Sequence, residues 1–149
     1  MIQNEHQYKV TQTKLRELEQ ASIDIDSNAG NLSERLLQAE KKGIQVLIER
    51  LRLEVVEYDN LKQQRTPIQI GSIEDLAIGL IKARISVGMT QKELAAKIGV
   101  QEQQIQRYEA DRYASASLAR LTEIARALEI IFANPVEFQM GLLSGAEKS

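Results

Sequence analysis

The chain has no cysteine and no tryptophan, and its 149 residues hold only two prolines and one histidine. Without cysteine there is neither a disulfide nor a thiolate metal site, and nothing points to an oxidising compartment. Aromatics make up 4% of the chain, and Leu, Ile and Ala dominate the apolar set. That balance suits helix packing better than a β-sandwich. Neither sign of charge prevails: 19 Lys and Arg stand against 21 Asp and Glu. No apolar run reaches the roughly 18 residues of a membrane span. The opening MIQNEHQYKV has no apolar signal-peptide core, so a cytoplasmic protein is the expectation. There is no phosphate loop, metal-ligand cluster or nucleophile–base set. His6 is the only histidine and reads as incidental. Neither enzymatic activity nor a cofactor or metal is expected.

What the sequence has is helical periodicity. Tyr8, Leu15, Leu18 and Ile25 lie on one helix face, and the turn formers of DIDSNAGN follow. Asn31 and Glu34 then make a capping box for a second, longer helix to about Gln64. Its seam of Ile44, Ile48, Leu51, Val55 and Tyr58 alternates steps of four and three, so the two helices form an antiparallel hairpin. The seam suits packing within the chain or an interface with a partner, and Gly43 weakens the second helix. QQRTPIQIGS, residues 63–72, reads as a linker, because Thr66 precedes a proline and is pushed toward extended geometry. PIQI within it has the composition of a short edge strand.

Four short amphipathic helices fill the remainder to about Ile130. Ser72 with Asp75 caps the first, which Gly88 ends. Thr90 with Glu93 makes a capping box for the second, which Gly99 ends by accepting a positive φ. QEQQIQRYEA, residues 101–110, is the third. SLARLTEIARAL is the fourth, with Leu118, Leu121, Ile124, Ala125 and Leu128 expected to face inward. IIFANPVEF beyond it has strand-like composition interrupted by Asn-Pro, and SGAEKS reads as a frayed tail.

The second and third of these short helices carry the chemistry. Ala95 is small enough for close helix approach, Gly99 supplies the turn, and Ile105 and Tyr108 anchor the third helix, which together spell a helix-turn-helix. Its second helix is of the kind that lies in a DNA major groove. Through Gln91, Ala95, Gly99, Ile105 and Tyr108 the segment from about 72 to 130 resembles the phage-repressor and Cro helix-turn-helix family, often called the XRE family. The whole chain is similar to HigA-type antitoxins of bacterial toxin–antitoxin pairs. The resemblance implies an all-α protein with an N-terminal helical hairpin and a lambda-repressor-like helix-turn-helix domain of the five-helix type. The expected parts are the hairpin at 1–65 for dimerisation or partner binding, a linker at 66–71, the DNA-binding domain at 72–132 and a tail at 133–149.

With Ile105 at the core, steps of about 100° put Gln103 and Arg107 nearly opposite it, Gln106 alongside them and Glu102 at the flank. Glutamine pairs bidentately with adenine and arginine with guanine. The resemblance implies Gln103 and Gln106 as the base contacts; Arg107 reads a base or grips a phosphate, and Glu102 joins them if it accepts from a cytosine amine. The resemblance places Gln91 on a phosphate at a helix N-terminus, with Arg112, Tyr113, Ser115 and Ser117 as further phosphate contacts.

Two positions depart from the family pattern. Gln101 stands where a Ser or Thr cap is usual, and Ala110 and Asp111 stand where the following turn often has glycine. Residues 71–130 hold eight basic and eight acidic side chains, so bulk attraction to DNA is absent and local clustering with dimerisation must replace it. The expected function is an operator-binding repressor, a homodimer on double-stranded DNA and the antitoxin of a type II pair that autoregulates its operon. The carboxylates Glu17, Glu19, Glu54, Glu57 and Asp59 read as solvated helix faces, with a basic partner, such as a toxin of the RNA-cleaving class, as the alternative reading. A freestanding XRE-family regulator, and an interaction protein with a vestigial helix-turn-helix, are the alternatives.

Overall fold

A computed structural model describes residues 1–27, 33–64 and 67–134. Six helices and no strand occur among them: α1 (Glu5–Ser27), α2 (Glu34–Lys62), α3 (Ile73–Ser86), α4 (Gln91–Lys97), α5 (Glu102–Ala110) and α6 (Leu118–Ala127). The all-α expectation holds. Of the five helices implied for the C-terminal domain, four lie among the described residues. PIQI takes no strand geometry over 67–70. The expected Asn31 cap lies outside the described residues, and Ser33 precedes α2 without a side-chain cap hydrogen bond.

Local signals set the short helices where the sequence places them. The Ser72 hydroxyl accepts from the Asp75 amide. At α4 the box is complete: the Thr90 hydroxyl accepts from the Glu93 amide at 3.1 Å, and the Glu93 carboxylate accepts from the Thr90 amide at 2.7 Å. The bonds that the exposed Glu93 carboxylate accepts from the Thr90 amide and the Thr90 hydroxyl hold it below its ordinary range, because they favour the ionised form. A depressed carboxylate stabilises the fold above its unfolded pKa and loses that contribution as pH falls through the folded one, so the cap weakens only in acid. Gly99 takes φ +70° and turns the chain from α4 into α5. α6 differs from expectation at its start, where Leu118 is 76% exposed. Ser117 caps it there, and the inward face begins only with Leu121 and Ile124.

In the hairpin, α1 and α2 pack along the expected seam, with Ile48 and Tyr58 buried. Tyr8 stacks on Tyr58 at 4.9 Å, and its hydroxyl donates to Asp59. Arg52 pairs with Glu19 further along. Ile2, Tyr58 and Leu61 share one core with Leu80, Ile81, Leu94, Ile105 and Ile124, and Ile68 packs against it. The physical reason is that four helices of seven to fourteen residues have little apolar surface of their own, and the hairpin base supplies more. Ile2→Ala should accordingly destabilise the whole chain by about 2–4 kcal/mol in urea unfolding. A change below 1 kcal/mol would mean the N-terminal residues are mere fringe.

Candidate nucleic-acid interface

α4 and α5 present the groups that the sequence singles out. On α5, Ile105 is fully buried and Tyr108 half-buried against the core. That orientation leaves Glu102, Gln103, Gln106 and Arg107 exposed together along the opposite side. Glu102 also proves to have a neighbour on its own helix: its carboxylate accepts from Gln106 Nε2 at 3.1 Å.

The inner face of α5 holds a group that sequence reasoning missed. Glu109 is fully buried. Its carboxylate accepts from Arg84 Nε at 2.5 Å and Arg84 Nη2 at 2.6 Å, and from Gln91 Nε2 at 2.8 Å. The same guanidinium donates to the carbonyls of Met89 and Gln3. Gln3 Nε2 closes the set on the Glu109 carbonyl, and Asn4 Nδ2 donates to Gln91 Oε1. A buried pair is tolerable only when its lone pairs and protons are satisfied in this way. The network ties α3, α4, α5 and the N-terminal residues into one frame. A usable signal existed: Glu109 lies four residues after Ile105, hence on the inward face.

Gln91, placed on a phosphate by resemblance, is only 6% exposed and has both ends of its amide engaged inside the protein. Tyr113, also expected at a phosphate, is buried as well. It is 3% exposed and stacks near Tyr108 at 6.0 Å, with burial pushing its phenol far above the ordinary range. Its hydroxyl has no hydrogen-bond partner among the described residues, and the ring faces the interior. Arg112 remains exposed beside it. Arg112 and Tyr113 both take left-handed φ, +54° and +59°, a strained geometry for non-glycine residues. Burial of the tyrosine ring and a hydrogen bond from the Tyr113 amide to the Tyr108 carbonyl offset that strain. The turn thus forms without the glycine usual in the family, and it leaves Arg112 at the surface.

Ser115 and Ser117 are exposed. The Ser115 hydroxyl donates to Asp111 Oδ2, which moderates the carboxylate that sits awkwardly for a phosphate neighbour. The Ser117 hydroxyl accepts from the Arg120 amide. The hairpin also reaches this edge. A cleft of 450 Å³ is lined by His6 and Lys62 of the hairpin, by Gln91 of α4 and its cap Thr90, and by Glu102 and Gln106 of α5. Among the described residues no group of three or more His, Asp or Glu is placed to hold a metal ion, and no helix is long and apolar enough to cross a membrane.

The hairpin carboxylates are largely committed within the chain. Glu19 pairs with Arg52, Glu54 with the N-terminal amine and Arg50, and Glu57 with Lys82, while Asp59 accepts from Tyr8. Comparison with known proteins bears on the C-terminal part: the family described as helix-turn-helix matches residues 80–130. Searches of curated proteins and of solved structures returned no match.

Proposed function

We propose that this chain, whose residues 80–130 are a helix-turn-helix domain of the XRE type, is a sequence-specific transcriptional repressor that binds a pseudo-palindromic operator as a homodimer. The observation that carries this is the two-sided character of α5. One face is locked by Ile105 and Glu109, and the other presents Gln103, Gln106 and Arg107 as a pre-positioned polar edge. In the complex, α5 lies in the major groove. Gln106 reads adenine with its amide, one N–H held by Glu102 and the other donated to N7. Glu102 is then a positioning residue for the amide. Gln103 and Arg107 take neighbouring bases, and Arg112, Ser115 and Ser117 hold phosphates.

Selection from random duplexes at fixed salt tests this directly. The expected outcome is a two-fold symmetric site containing adenine, with Arg112→Ala weakening all sequences alike. Recovery of no preferred sequence would overturn it in favour of a vestigial domain.

The finer assignment is to the antitoxin of a type II pair, supported by the combination of a helical hairpin with a helix-turn-helix domain. The internal ion pairs of the hairpin carboxylates favour a freestanding regulator instead, since a basic toxin would have to displace them. Co-purification with the product of the adjoining gene decides between the two.

A further inference from the structure

α2 has a second apolar stripe that nothing among the described residues covers. The seam residues Ile48 and Tyr58 face α1, yet Val46, Leu53 and Val56 on the other side are 57%, 71% and 52% exposed. The stripe also contains Gly43, inside a 29-residue helix. A Cβ built there would meet nothing within 4 Å, so no packing among the described residues explains a residue that disfavours helix. Toward the C-terminal end of α2 the stripe opens into a groove of 560 Å³ lined by Leu53, Val56, Asn60, Pro67 and Ile68.

From this face we infer that the homodimer forms by antiparallel pairing of α2 with α2 of a second copy, on a two-fold axis between Glu49 and Arg50. Any two-fold antiparallel register fixes which positions meet, and this one satisfies the whole stripe. Val46 meets Leu53 of the partner subunit. Gly43 meets Val56 of the partner subunit, small against large, which lets the backbones approach. Ala39 and Gly43 of each copy enter the other's groove. The charges match as well: Glu49 faces Arg50 of the partner subunit, and Lys42 faces Glu57 of the partner subunit. Arg50 keeps its 3.7 Å contact to Glu54, and Glu57 its 2.7 Å contact to Lys82, within the chain, so both sit in mixed-charge rows of the kind that flank coiled-coil seams.

The same register spaces the DNA-binding parts. Each helix-turn-helix domain shares its core with Leu61 near the end of α2. The two Leu61 positions lie 23 helical steps apart across the axis, which at 1.5 Å per residue is about 34 Å along the helix, one turn of B-DNA. This last step rests on the DNA-binding role proposed above, whereas the pairing itself does not.

The test uses the full chain. Its mass in solution should be that of a dimer. Glu49→Arg sets arginines against each other twice and should raise the dimer dissociation constant on the order of a hundredfold. The double variant Glu49→Arg with Arg50→Glu should restore the dimer, because the reversed charges again face each other. Since the chain has no cysteine, Val46→Cys with Leu53→Cys should give a covalent dimer on oxidation. All four positions are solvent-exposed, and helical circular dichroism verifies that each variant folds. A monomeric wild type, a Glu49→Arg variant that stays fully dimeric, or a charge reversal that fails to restore would each overturn the pairing. A dimer made elsewhere that still selects an operator would sink this interface and leave the DNA-binding function standing. A dimer through α2 that selects no DNA would do the reverse.

Discussion

Arg84→Ala should destabilise the protein by about 3–5 kcal/mol, because it leaves the Glu109 carboxylate buried without its ion-pair partner. The residue has no route to water: Glu109 is fully buried on the inner face of α5. The variant also strips the donor from the Met89 and Gln3 carbonyls. For a chain of this size that is a fall in Tm on the order of 10 °C, and a large share of a total stability of about 5–15 kcal/mol. Arg84→Met with Glu109→Leu should recover most of the loss, since an apolar pair of similar volume removes the desolvation cost along with the attraction. Urea unfolding of the two variants side by side decides it. A single variant within 1 kcal/mol of wild type would mean that the pair is not a structural tie. Because the network holds α4 and α5 together with the N-terminal residues, operator affinity should fall with stability in Arg84→Ala and return in the double variant.

Gln106→Ala should reduce discrimination at one adenine by about 1–3 kcal/mol, with little effect on affinity for unrelated duplex. Glu102→Ala should act differently. It frees the Gln106 amide from its 3.1 Å tether, which lowers specificity at the same base pair. It also removes a negative charge from the DNA-facing side, which tightens non-specific binding. The signature is therefore a narrower specificity ratio arising from both ends at once. Competition binding against operators altered at each base pair, at one salt concentration, reads both quantities. If Glu102→Ala leaves the ratio unchanged, Glu102 is not a positioning residue. If Gln106→Ala leaves every base preference intact, α5 does not read bases through this amide.

Legibility followed range along the chain. The capping box at Thr90 and Glu93, the turn at Gly99 and the inward anchor at Ile105 act within four or five residues, and all were readable as patterns. The outward set of Gln103, Gln106 and Arg107 followed from one anchor and the pitch of a helix. Leu118 was misplaced because its apolar type suggested the core, whereas the position just after a serine cap faces solvent. Gln91 and Tyr113, expected at phosphates, lie buried in the structure. A polar or amphipathic side chain near a DNA-facing loop has two possible destinations, and sequence type alone does not choose.

By itself, then, the sequence determined the six described helices closely, their order, the helix-turn-helix and the side of α5 that faces outward, because periodicity and capping are local physics. Only the tertiary structure decided that Arg84 and Glu109, 25 positions apart, meet in the core, and that Gln3 reaches Glu109 across 106 positions. It also joined the hairpin base to the DNA-binding domain in one core and, among the described residues, left the outer stripe of α2 bare. Such pairings depend on where separate helices come to rest, and no spacing within a single helix encodes that.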